Sequence, residues 1–397
     1  MHLYDTAAEA PRLLGPHDGH VGMYVCGITP YDGGHLGHAF TYHTFDVIAR
    51  RLRADGVEVR AVRNVTDVDD DILRVARARG VDYRVLGEHE ARRFDRDMSD
   101  LGLLDVDAAP RATGHVPAMV EWIARLVARG AAYATQGWVY FDVRRFPGYG
   151  ELSRLDRDTM VQLSRQRGGD PDDPRKGDPL DFVLWQPSLP DEPHWASPWS
   201  EGRPGWHIEC TVMSARELTL PIDIHGGGDD LIFPHHECEI AQAEAAGVHP
   251  YVRHWVHVAM VGYQGEKMSK SLGNLIYVRD LLSEVPAAVV RLLLSAHHHR
   301  VAWEYDPAEL VRASERALAY GVALSSGTMF TAADAQAVHD GFMACVDDDL
   351  DTPGALAILD EVAGASSSPR RGDGADVSSA TLMGPLLDVL GARLGGP

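Results

Sequence analysis

Lysine is the scarcest charged residue type in this chain. Only three of the 397 residues are lysine, Lys176, Lys267 and Lys270, whereas lysine and arginine together number 37. Lys267 and Lys270 lie in residues 267–271, which read KMSKS. An ammonium is a compact charge on a flexible stem that can follow a moving phosphate, whereas the planar fork of arginine suits fixed bidentate partners. The pair therefore indicates phosphate chemistry, and the alternative is a solvated loop that kept two lysines by chance.

Cysteine is almost as scarce, with Cys26, Cys210, Cys238 and Cys345 scattered over the chain. So few and so widely spaced residues do not make a disulfide framework, and metal binding or burial is expected instead. No uninterrupted apolar run approaches the length of a membrane span, and the first residues lack the pattern of a signal peptide. We therefore expect a cytoplasmic protein with no membrane partner.

Positive charge is also in deficit, because the formal net charge is −21. Such a charge disfavours broad attraction to nucleic-acid backbones, although a local basic patch is compatible with it. The remaining composition, 45% hydrophobic and 24% charged residues, is typical of a globular protein. A chain of 397 residues is expected to form about two or three domains.

The first region has the pattern of a parallel α/β sheet. Residues 21–26 form a short apolar run followed by a loop, a helical pattern covers residues 37–52, and residues 57–62 alternate as a second strand. Strand, helix and strand in this order predict a βαβ unit. Another strand is predicted at residues 220–225, where the chain runs into three glycines.

Between these strands the sequence changes character. Residues 138–190 are rich in Gly, Pro, Asp and Arg, and residues 167–174 are not compatible with a regular element. We interpret this stretch as an insertion between two halves of the sheet. From about residue 306 the chain is predicted to be helical, with a flexible loop at residues 365–374.

A second phosphate signal lies at residues 35–38, which read HLGH, where the first strand's loop enters its helix. A helix N-terminus offers unpaired N–H groups and the positive end of a dipole, Gly37 allows close approach, and the imidazoles of His35 and His38 can donate to phosphate oxygens. Two histidines at a helix start are equally compatible with surface capping.

Together, residues 35–38 and 267–271 resemble the HIGH and KMSKS motifs of class I aminoacyl-tRNA synthetases. The resemblance implies an α/β fold: a Rossmann-like catalytic domain with an inserted subdomain and a C-terminal helical bundle. It also implies ATP with Mg²⁺ and an aminoacyl adenylate, with His35, His38, Lys267 and Lys270 as catalytic residues. The expected units are residues 1–110 and 205–262 for the two catalytic halves, 111–204 for the insertion, 263–315 for the KMSKS loop with stem-contact-like helices, and 316–397 for the helical domain.

Four further residues have the chemistry of a zinc site. His235 and Glu239 are four positions apart and would share one face of a helix. With the thiolates of Cys26 and Cys210 they would make a tetrahedral set. Spacing alone does not bring these residues together, and two buried thiols beside an unrelated His/Glu pair is the competing interpretation.

Residues 203–210, 225–228 and 235–236, with Cys26, resemble cysteinyl-tRNA synthetases. This resemblance implies one zinc ion held by Cys26, Cys210, His235 and Glu239, which selects the substrate by its thiolate; a serine hydroxyl binds zinc poorly. Cys238 is three positions after His235 and is an alternative ligand, although Glu239 matches the family's ligand position.

The same resemblance implies two groups of substrate contacts. The residues expected to bind cysteine are Cys26, Thr29, Thr66 and the pocket wall Trp206. The residues expected to bind ATP or the adenylate are Gly27, His35, Gly37, His38, Gly228, Asp230, Val261, Lys267, Ser269 and Lys270. For each of them, ordinary packing or turn chemistry is the alternative.

The insertion bears on the acceptor of the activated cysteine. Residues 23–32, 156–160, 167–171 and 348–353 resemble the cysteine:glucosaminyl-inositol ligases of mycothiol biosynthesis, and this match covers nearly the whole chain. Cysteinyl-tRNA synthetases usually continue into an anticodon-reading domain, whereas this sequence stops at Pro397 after an acidic run. We therefore expect a small amine as acceptor and disfavour tRNA.

Two departures leave other acceptors open. Glu239 is a synthetase-like ligand that the mycothiol-pathway ligases generally lack. Residues 297–300 (HHHR) replace a shorter pattern that contains a single histidine and tyrosine. A different small amine, tRNA, or a catalytically inactive nucleotide-binding relative are the alternatives. The expected reaction forms cysteinyl adenylate and passes cysteine to an amine in a monomeric enzyme. No general base follows from the sequence; His207 and Asp230 are candidates.

Overall fold

The computed structural model describes residues 1–16, 19–268, 273–366 and 375–394. Its centre is a four-stranded parallel sheet in the order β10-β9-β3-β4. These strands are β3 (His20–Ile28), β4 (Glu58–Val65), β9 (Ile224–Gly228) and β10 (Trp255–Val258). The helix α1 (Leu36–Ala54) connects β3 to β4, so the predicted βαβ unit is present. Because β3 pairs with both β4 and β9, distant parts of the sequence meet at one carboxyl edge.

The predicted strand at residues 220–225 begins later than expected, because β9 starts at Ile224. Leu220 and Pro221 precede it outside the ladder, and Ile222 makes only an isolated bridge to Val252. Pro221 has no backbone N–H and cannot donate to a ladder, so no regular strand begins at residue 220.

The insertion contains more regular structure than its composition predicted. It forms a second, antiparallel four-stranded sheet in the order β5-β6-β7-β8. Its elements are α4 (Val116–Ala128), β5 (Ala132–Thr135), β6 (Trp138–Phe141), α5 (Arg157–Gln166), β7 (Phe182–Pro187) and β8 (Gly202–Pro204). Residues 167–174 lie between α5 and β7 without a helix or strand, as predicted.

The remaining elements surround these two sheets. A hairpin precedes β3, two helices follow β4, two flank β9, and a small three-stranded sheet lies near the KMSKS residues. They are β1 (His2–Asp5), β2 (Ala10–Leu13), α2 (Asp70–Arg79), α3 (Tyr83–Asp100), α6 (Trp206–Glu217), α7 (Glu237–Ala245), β11 (Val261–Tyr263), β12 (Glu266–Lys267), α8 (Val278–Glu284), α9 (Ala287–Ser295) and β13 (Trp303–Glu304).

The C-terminal region is helical, as expected, but it also contains a two-stranded antiparallel sheet that was not predicted. Its elements are α10 (Pro307–Ser325), β14 (Met329–Thr331), α11 (Ala332–Asp347), α12 (Thr352–Ser366), β15 (Ala375–Ser378) and α13 (Ser379–Val389). Most of the predicted loop at 365–374 lies outside the described residues. None of the helices in the described part of the chain has both the length and the apolar character that crossing a bilayer requires.

A buried arginine joins the C-terminal region to the catalytic sheet. The Arg291 side chain is fully buried and donates to Asp46 of α1. It also donates to the carbonyls of Leu390, at 2.9 Å, and Gly102, at 3.2 Å. We call this group the Arg291 junction. Its guanidinium thus has an anionic partner and two carbonyl partners, which is what a buried charge requires.

Candidate active site

The four residues expected to bind zinc lie together at the carboxyl edge of the parallel sheet. Cys26 comes from β3, Cys210 from α6, and His235 and Glu239 from the turn before α7 and from α7 itself. All four side chains are buried, and their ligand atoms lie within 4.8 Å of one another. We call them the Cys/His/Glu cluster.

The distances inside the Cys/His/Glu cluster fit one tetrahedral metal ion. The two sulfur atoms are 3.9 Å apart, and Glu239 Oε1 lies 3.7 Å from the Cys26 Sγ and 3.2 Å from the His235 Nε2. Two thiolates on one zinc ion, with Zn–S bonds of about 2.3 Å, would be about 3.8 Å apart. His235 Nε2 makes no hydrogen bond within the described part of the chain. The donor set, two sulfurs, an imidazole and a carboxylate, also suits zinc.

The electrostatics of the cluster also suit a divalent cation. Burial raises the pKa of the Cys26 thiol and of the Glu239 carboxyl well above their usual values, and burial lowers the pKa of His235 well below its usual value. Each group is therefore driven towards its neutral form. A divalent cation would stabilise the thiolate and carboxylate forms and bind neutral imidazole.

Two more histidines reach the same centre, and the sequence did not single them out as ligands. His236 Nε2 lies 3.3 Å and His225 Nε2 3.6 Å from the Cys26 Sγ, and with Glu239 they form a second compact group. His236 Nδ1 is paired with His257 Nε2 at 2.7 Å. Both histidines lie in the stretches that resemble cysteinyl-tRNA synthetases, but spacing did not reveal that they face Cys26.

Cys238, the alternative ligand, lies outside both groups of potential ligands in the described structure. Its buried thiol is 3.5 Å from the Tyr149 hydroxyl, a residue of the insertion. The Tyr251 hydroxyl instead donates to Glu239 Oε2 at 3.1 Å, which orients that carboxylate towards the cluster. This arrangement favours Glu239 over Cys238.

The residues expected to bind cysteine surround the cluster. Trp206 stacks on His235 with 4.2 Å between ring centroids, so its indole forms an apolar wall beside the ligand atoms. Thr29 Oγ1 donates to Asp69 Oδ2 at 3.3 Å. Thr66 Oγ1 accepts from Asn64 Nδ2 at 3.1 Å, at the end of β4. The two threonines thus lie at the carboxyl ends of adjacent strands.

A buried acid beside this pocket was missed from the sequence. Glu209 precedes Cys210, and neither of its carboxylate oxygens has a hydrogen-bond partner by distance and angle among the described residues. Burial raises its pKa well above the usual value, and the Asp69 and Asp67 carboxylates raise it further, whereas the Thr66 hydroxyl opposes this effect. The only feature of the sequence that could have identified Glu209 is its position between the motif residues His207 and Cys210.

The first phosphate motif lies at the start of α1. His35 caps this helix, its ring Nδ1 accepts from the His38 N–H at 3.4 Å, and the two rings stack at 3.7 Å. Both imidazoles are therefore held at a helix N-terminus, where anions are favoured. A side chain at position 37 would contact the His35 ring at 3.1 Å, which explains Gly37.

The other residues expected to bind the nucleotide lie in strands or directly after them. Gly228 ends β9, Asp230 lies two positions later, and buried Val261 starts β11. Gly27 has a packing reason, since a Cβ there would lie 1.6 Å from the Asn64 carbonyl oxygen. Lys267 is in β12, where its backbone pairs with Gly262. Ser269 and Lys270 lie outside the described residues.

The two candidate general bases have fixed neighbours. His207 Nδ1 lies 3.0 Å from His235 Nδ1, and burial lowers its pKa to about 3, which makes it a weak base. The Asp230 carbonyl accepts a hydrogen bond from Arg167, which also donates to the Phe233 carbonyl. Arg167 belongs to the insertion, so the insertion contacts the loop that carries Asp230.

Residues 14–315 of the chain match the family described as the tRNA synthetases class I (C) catalytic domain. The chain belongs to this family. The fold expected from the HIGH-like and KMSKS motifs is thereby confirmed. Solved class I synthetases agree: methionyl-tRNA synthetase of Mycobacterium tuberculosis superposes with a TM-score of 0.66 at 18% identity, over 94% of this chain and 89% of that one. A leucyl-tRNA synthetase of Agrobacterium radiobacter K84 gives a TM-score of 0.68 at 11% identity, over 96% and 84%.

Among curated class I (C) relatives, two kinds of enzyme are similarly close. The L-cysteine:1D-myo-inositol 2-amino-2-deoxy-alpha-D-glucopyranoside ligase of Thermobifida fusca (strain YX) is 44% identical over 98% of this chain and 93% of its own. The ligase of the same name from Kribbella flavida is 46% identical over 91% and 89%. A cysteine--tRNA ligase of Alkalilimnicola ehrlichii is 44% identical over 100% and 85%.

Proposed function

We propose that this protein is an ATP-dependent ligase that joins L-cysteine to the amine of glucosaminyl-inositol, as in mycothiol biosynthesis, with release of AMP and pyrophosphate. The observation that carries this proposal is the Cys/His/Glu cluster, built beside Trp206 in a chain so similar to the named glucosaminyl-inositol ligases. Cysteine is the amino acid whose side chain matches such a centre.

Zinc would be held by Cys26, Cys210, His235 and Glu239, and when bound it supplies a soft Lewis acid that takes a thiolate in preference to a hydroxyl. Trp206 then closes the pocket around the substrate's Cβ. Thr29 and Thr66 hold its amino and carboxyl end. Since an extra methylene or hydroxyl is discriminated weakly by packing alone, recognition of the thiolate provides the specificity.

In the first step the cysteine carboxylate attacks the α-phosphate of ATP, which is bound with Mg²⁺, and pyrophosphate leaves. His35 and His38 donate to phosphate oxygens at the N-terminus of α1, and Lys267 and Lys270 stabilise the charge that develops on the leaving group. Gly27, Gly37, Gly228, Asp230, Val261 and Ser269 complete the nucleotide site.

In the second step the acceptor amine attacks the carbonyl carbon of cysteinyl adenylate, an amide bond forms, and AMP leaves with the electron pair of the broken acyl–phosphate bond. The attacking amine must be neutral and loses a proton afterwards. Because the pKa of His207 is about 3, we do not assign that proton to His207. Exclusion of water by the closed site protects the adenylate from hydrolysis.

Two measurements test this proposal in order. Cysteine-dependent exchange of labelled pyrophosphate into ATP reports the first step without any acceptor, and we expect exchange with cysteine and none with serine. AMP formation is then followed with glucosaminyl-inositol, with tRNA and with a panel of small amines. The absence of any cysteine-dependent exchange would contradict the enzyme assignment and favour an inactive nucleotide-binding relative.

Cysteine--tRNA ligase is the second candidate, because such an enzyme is also 44% identical to this chain. Stable charging of tRNA with cysteine, without product from glucosaminyl-inositol, would select it. Another small amine is the third possibility, and the amine panel tests it. A cytoplasmic location and a monomeric state remain predictions.

A further inference from the structure

A cavity of about 840 Å³ lies between α3 and the insertion, and none of the residues assigned above to metal, cysteine or nucleotide lines it. This volume is in the range of small-molecule sites in proteins. We propose that this cavity binds the acceptor, and that it selects a polyhydroxylated amine, the class to which glucosaminyl-inositol belongs. The inference rests on the proposed function and adds the location and chemistry of the acceptor site.

The cavity adjoins the cysteine pocket at two points. Asp67, which lines it, directly follows Thr66 on the loop at the end of β4. Gly87 of α3 also lines it, and a Cβ there would lie 3.7 Å from Pro30, the residue after Thr29. The loop that carries Thr66 therefore forms part of the cavity's boundary, and Gly87 lies beside the loop that carries Thr29. The cavity is thus adjacent to the two loops that are predicted to bind the amino and carboxyl end of cysteine.

The lining has the composition of a sugar site. Tyr83 and Trp195 offer two aromatic surfaces, against which the C–H faces of a sugar or cyclitol ring can pack. Trp195 belongs to the insertion and is held by two backbone hydrogen bonds with Gly202, at 2.8 and 3.0 Å. Its indole is thus presented from a fixed backbone rather than from a free loop.

The polar groups of the cavity are arranged before any ligand binds. Glu88 accepts from Arg92 at 2.7 Å and pairs with Arg111 at 2.8 Å, whereas Asp67 accepts from Thr113 through N–H and hydroxyl at 2.9 and 2.6 Å. A carboxylate has about four acceptor positions, so each retains capacity for hydroxyl or ammonium donors. The guanidinium groups of Arg92 and Arg111 can donate hydrogen bonds to the hydroxyls of the acceptor. Such pre-organisation lowers the entropic cost of binding.

The catalytic motifs are shared between the glucosaminyl-inositol ligases and the cysteine--tRNA ligases, so they do not select an acceptor. Trp195 comes from the insertion, whose residues 156–160 and 167–171 resemble the mycothiol-pathway ligases. The acceptor site is therefore formed jointly by α3 of the catalytic domain and the insertion.

The test compares Trp195→Ala with Trp138→Ala. Trp138 is another half-buried tryptophan of the insertion, in β6, and it packs under Arg175 without lining the cavity. We expect Trp195→Ala to raise the KM for glucosaminyl-inositol at least about tenfold, through loss of an aromatic contact, while cysteine-dependent pyrophosphate exchange stays within about twofold of wild type. Trp138→Ala should change neither quantity.

A second variant is included so that misfolding of one variant does not decide the test. Tyr83→Ala, which changes a lining residue of α3, should likewise raise the KM and leave the exchange unchanged. An unchanged KM in both variants, or a parallel loss of exchange and ligation, would overturn the proposal. If the wild type ligates glucosaminyl-inositol and both variants keep its KM, only the cavity assignment fails. If the wild type charges tRNA instead, the proposed function fails as well.

Discussion

Two buried polar groups in this protein differ in how completely they are satisfied. The Arg291 junction gives its guanidinium an anionic and two carbonyl partners within the protein. The Cys/His/Glu cluster leaves His235 Nε2 without a hydrogen bond, and burial drives Cys26 and Glu239 towards protonation. A fully hydrogen-bonded group supports the fold, whereas a buried group with unused ligand atoms indicates a binding site.

Removal of one thiol from the Cys/His/Glu cluster should have the largest effect on zinc binding and on activity. We expect Cys210→Ser to lower bound zinc from one per chain to less than about a tenth, because a hydroxyl is a poor zinc ligand. Cysteine-dependent pyrophosphate exchange should fall by at least about a thousandfold, which requires the loss of about 4 kcal/mol of binding and transition-state stabilisation. Metal analysis and exchange assays measure the two effects.

Treatment of the wild type with a chelator should reproduce this loss, and zinc should restore exchange to the wild type but not to Cys210→Ser. Full exchange in a zinc-free sample would contradict the assignment.

Breaking the satisfied group should instead affect folding. Asp46→Ala leaves the Arg291 guanidinium buried without its carboxylate, and we expect the free energy of unfolding to fall by about 3–5 kcal/mol. Zinc content of the folded fraction should stay unchanged. Urea unfolding followed by circular dichroism measures the effect.

The matched control is Asp95→Ala, which removes the exposed partner of Arg63 at 3.0 Å. A surface pair contributes about 0–1 kcal/mol, so this variant should unfold almost like wild type. Equal losses of unfolding free energy in Asp46→Ala and Asp95→Ala would contradict the expected difference between buried and exposed ion pairs.

Asp69, which accepts a hydrogen bond from Thr29, provides a comparison that depends on pH. Burial, with Asp70 and Asp71 nearby, raises its pKa from 3.8 to about 6. The folded state therefore binds a proton more tightly than the unfolded state, so ionisation of Asp69 costs stability as pH rises from about 4 to about 6. Asp69→Asn should match wild type near pH 4 and exceed it above pH 6, by at most about 3 kcal/mol.

Unfolding curves at several pH values, without cysteine or ATP, measure this difference. Asn can still cap α2, so the comparison isolates the charge. If the wild type instead became more stable relative to Asp69→Asn as the pH rises, the expected destabilisation by ionised Asp69 would be contradicted.

The smallest effect concerns the alternative ligand. Cys238→Ser should leave zinc affinity within about twofold of wild type, because its sulfur lies beside Tyr149 and outside the cluster. Glu239→Gln should weaken zinc binding by at least about 100-fold, the upper end of the loss seen when a group that only supports a metal ligand is changed. Competition with a zinc chelator measures both. Loss of zinc in Cys238→Ser, but not in Glu239→Gln, would reverse the assignment.

The sequence predicted the parts of the fold that depend on local periodicity. The unit of β3, α1 and β4 was recognisable because a buried strand, an amphipathic helix and an alternating strand each leave a pattern. The sheet of the insertion was not predicted, since β5, β6 and β8 have only three or four residues each, in a stretch rich in Gly and Pro. Such short strands are defined by their partners and leave little periodicity of their own.

The candidate active site, like the fold, was only partly predictable from the sequence. Motif residues such as His35 and Trp206 were named from the sequence, and the structure brings the four predicted zinc ligands together. His225, His236 and Glu209 were not identified, because their roles depend on which buried faces meet at the carboxyl edge. Spacing along the chain contains no information on contacts between strands that are far apart in sequence.

The pairing of β3 with β9 has a consequence for how the protein forms. Cys26 and Glu239 are 213 positions apart, so the Cys/His/Glu cluster assembles only after a very long segment of chain has been closed into a loop. Parallel pairing over such a separation is slow, because the loop entropy is lost before the contacts form. Metal retention would therefore report that this long-range contact has formed, and a ribosome-bound chain lacking α7 would have no complete site to load.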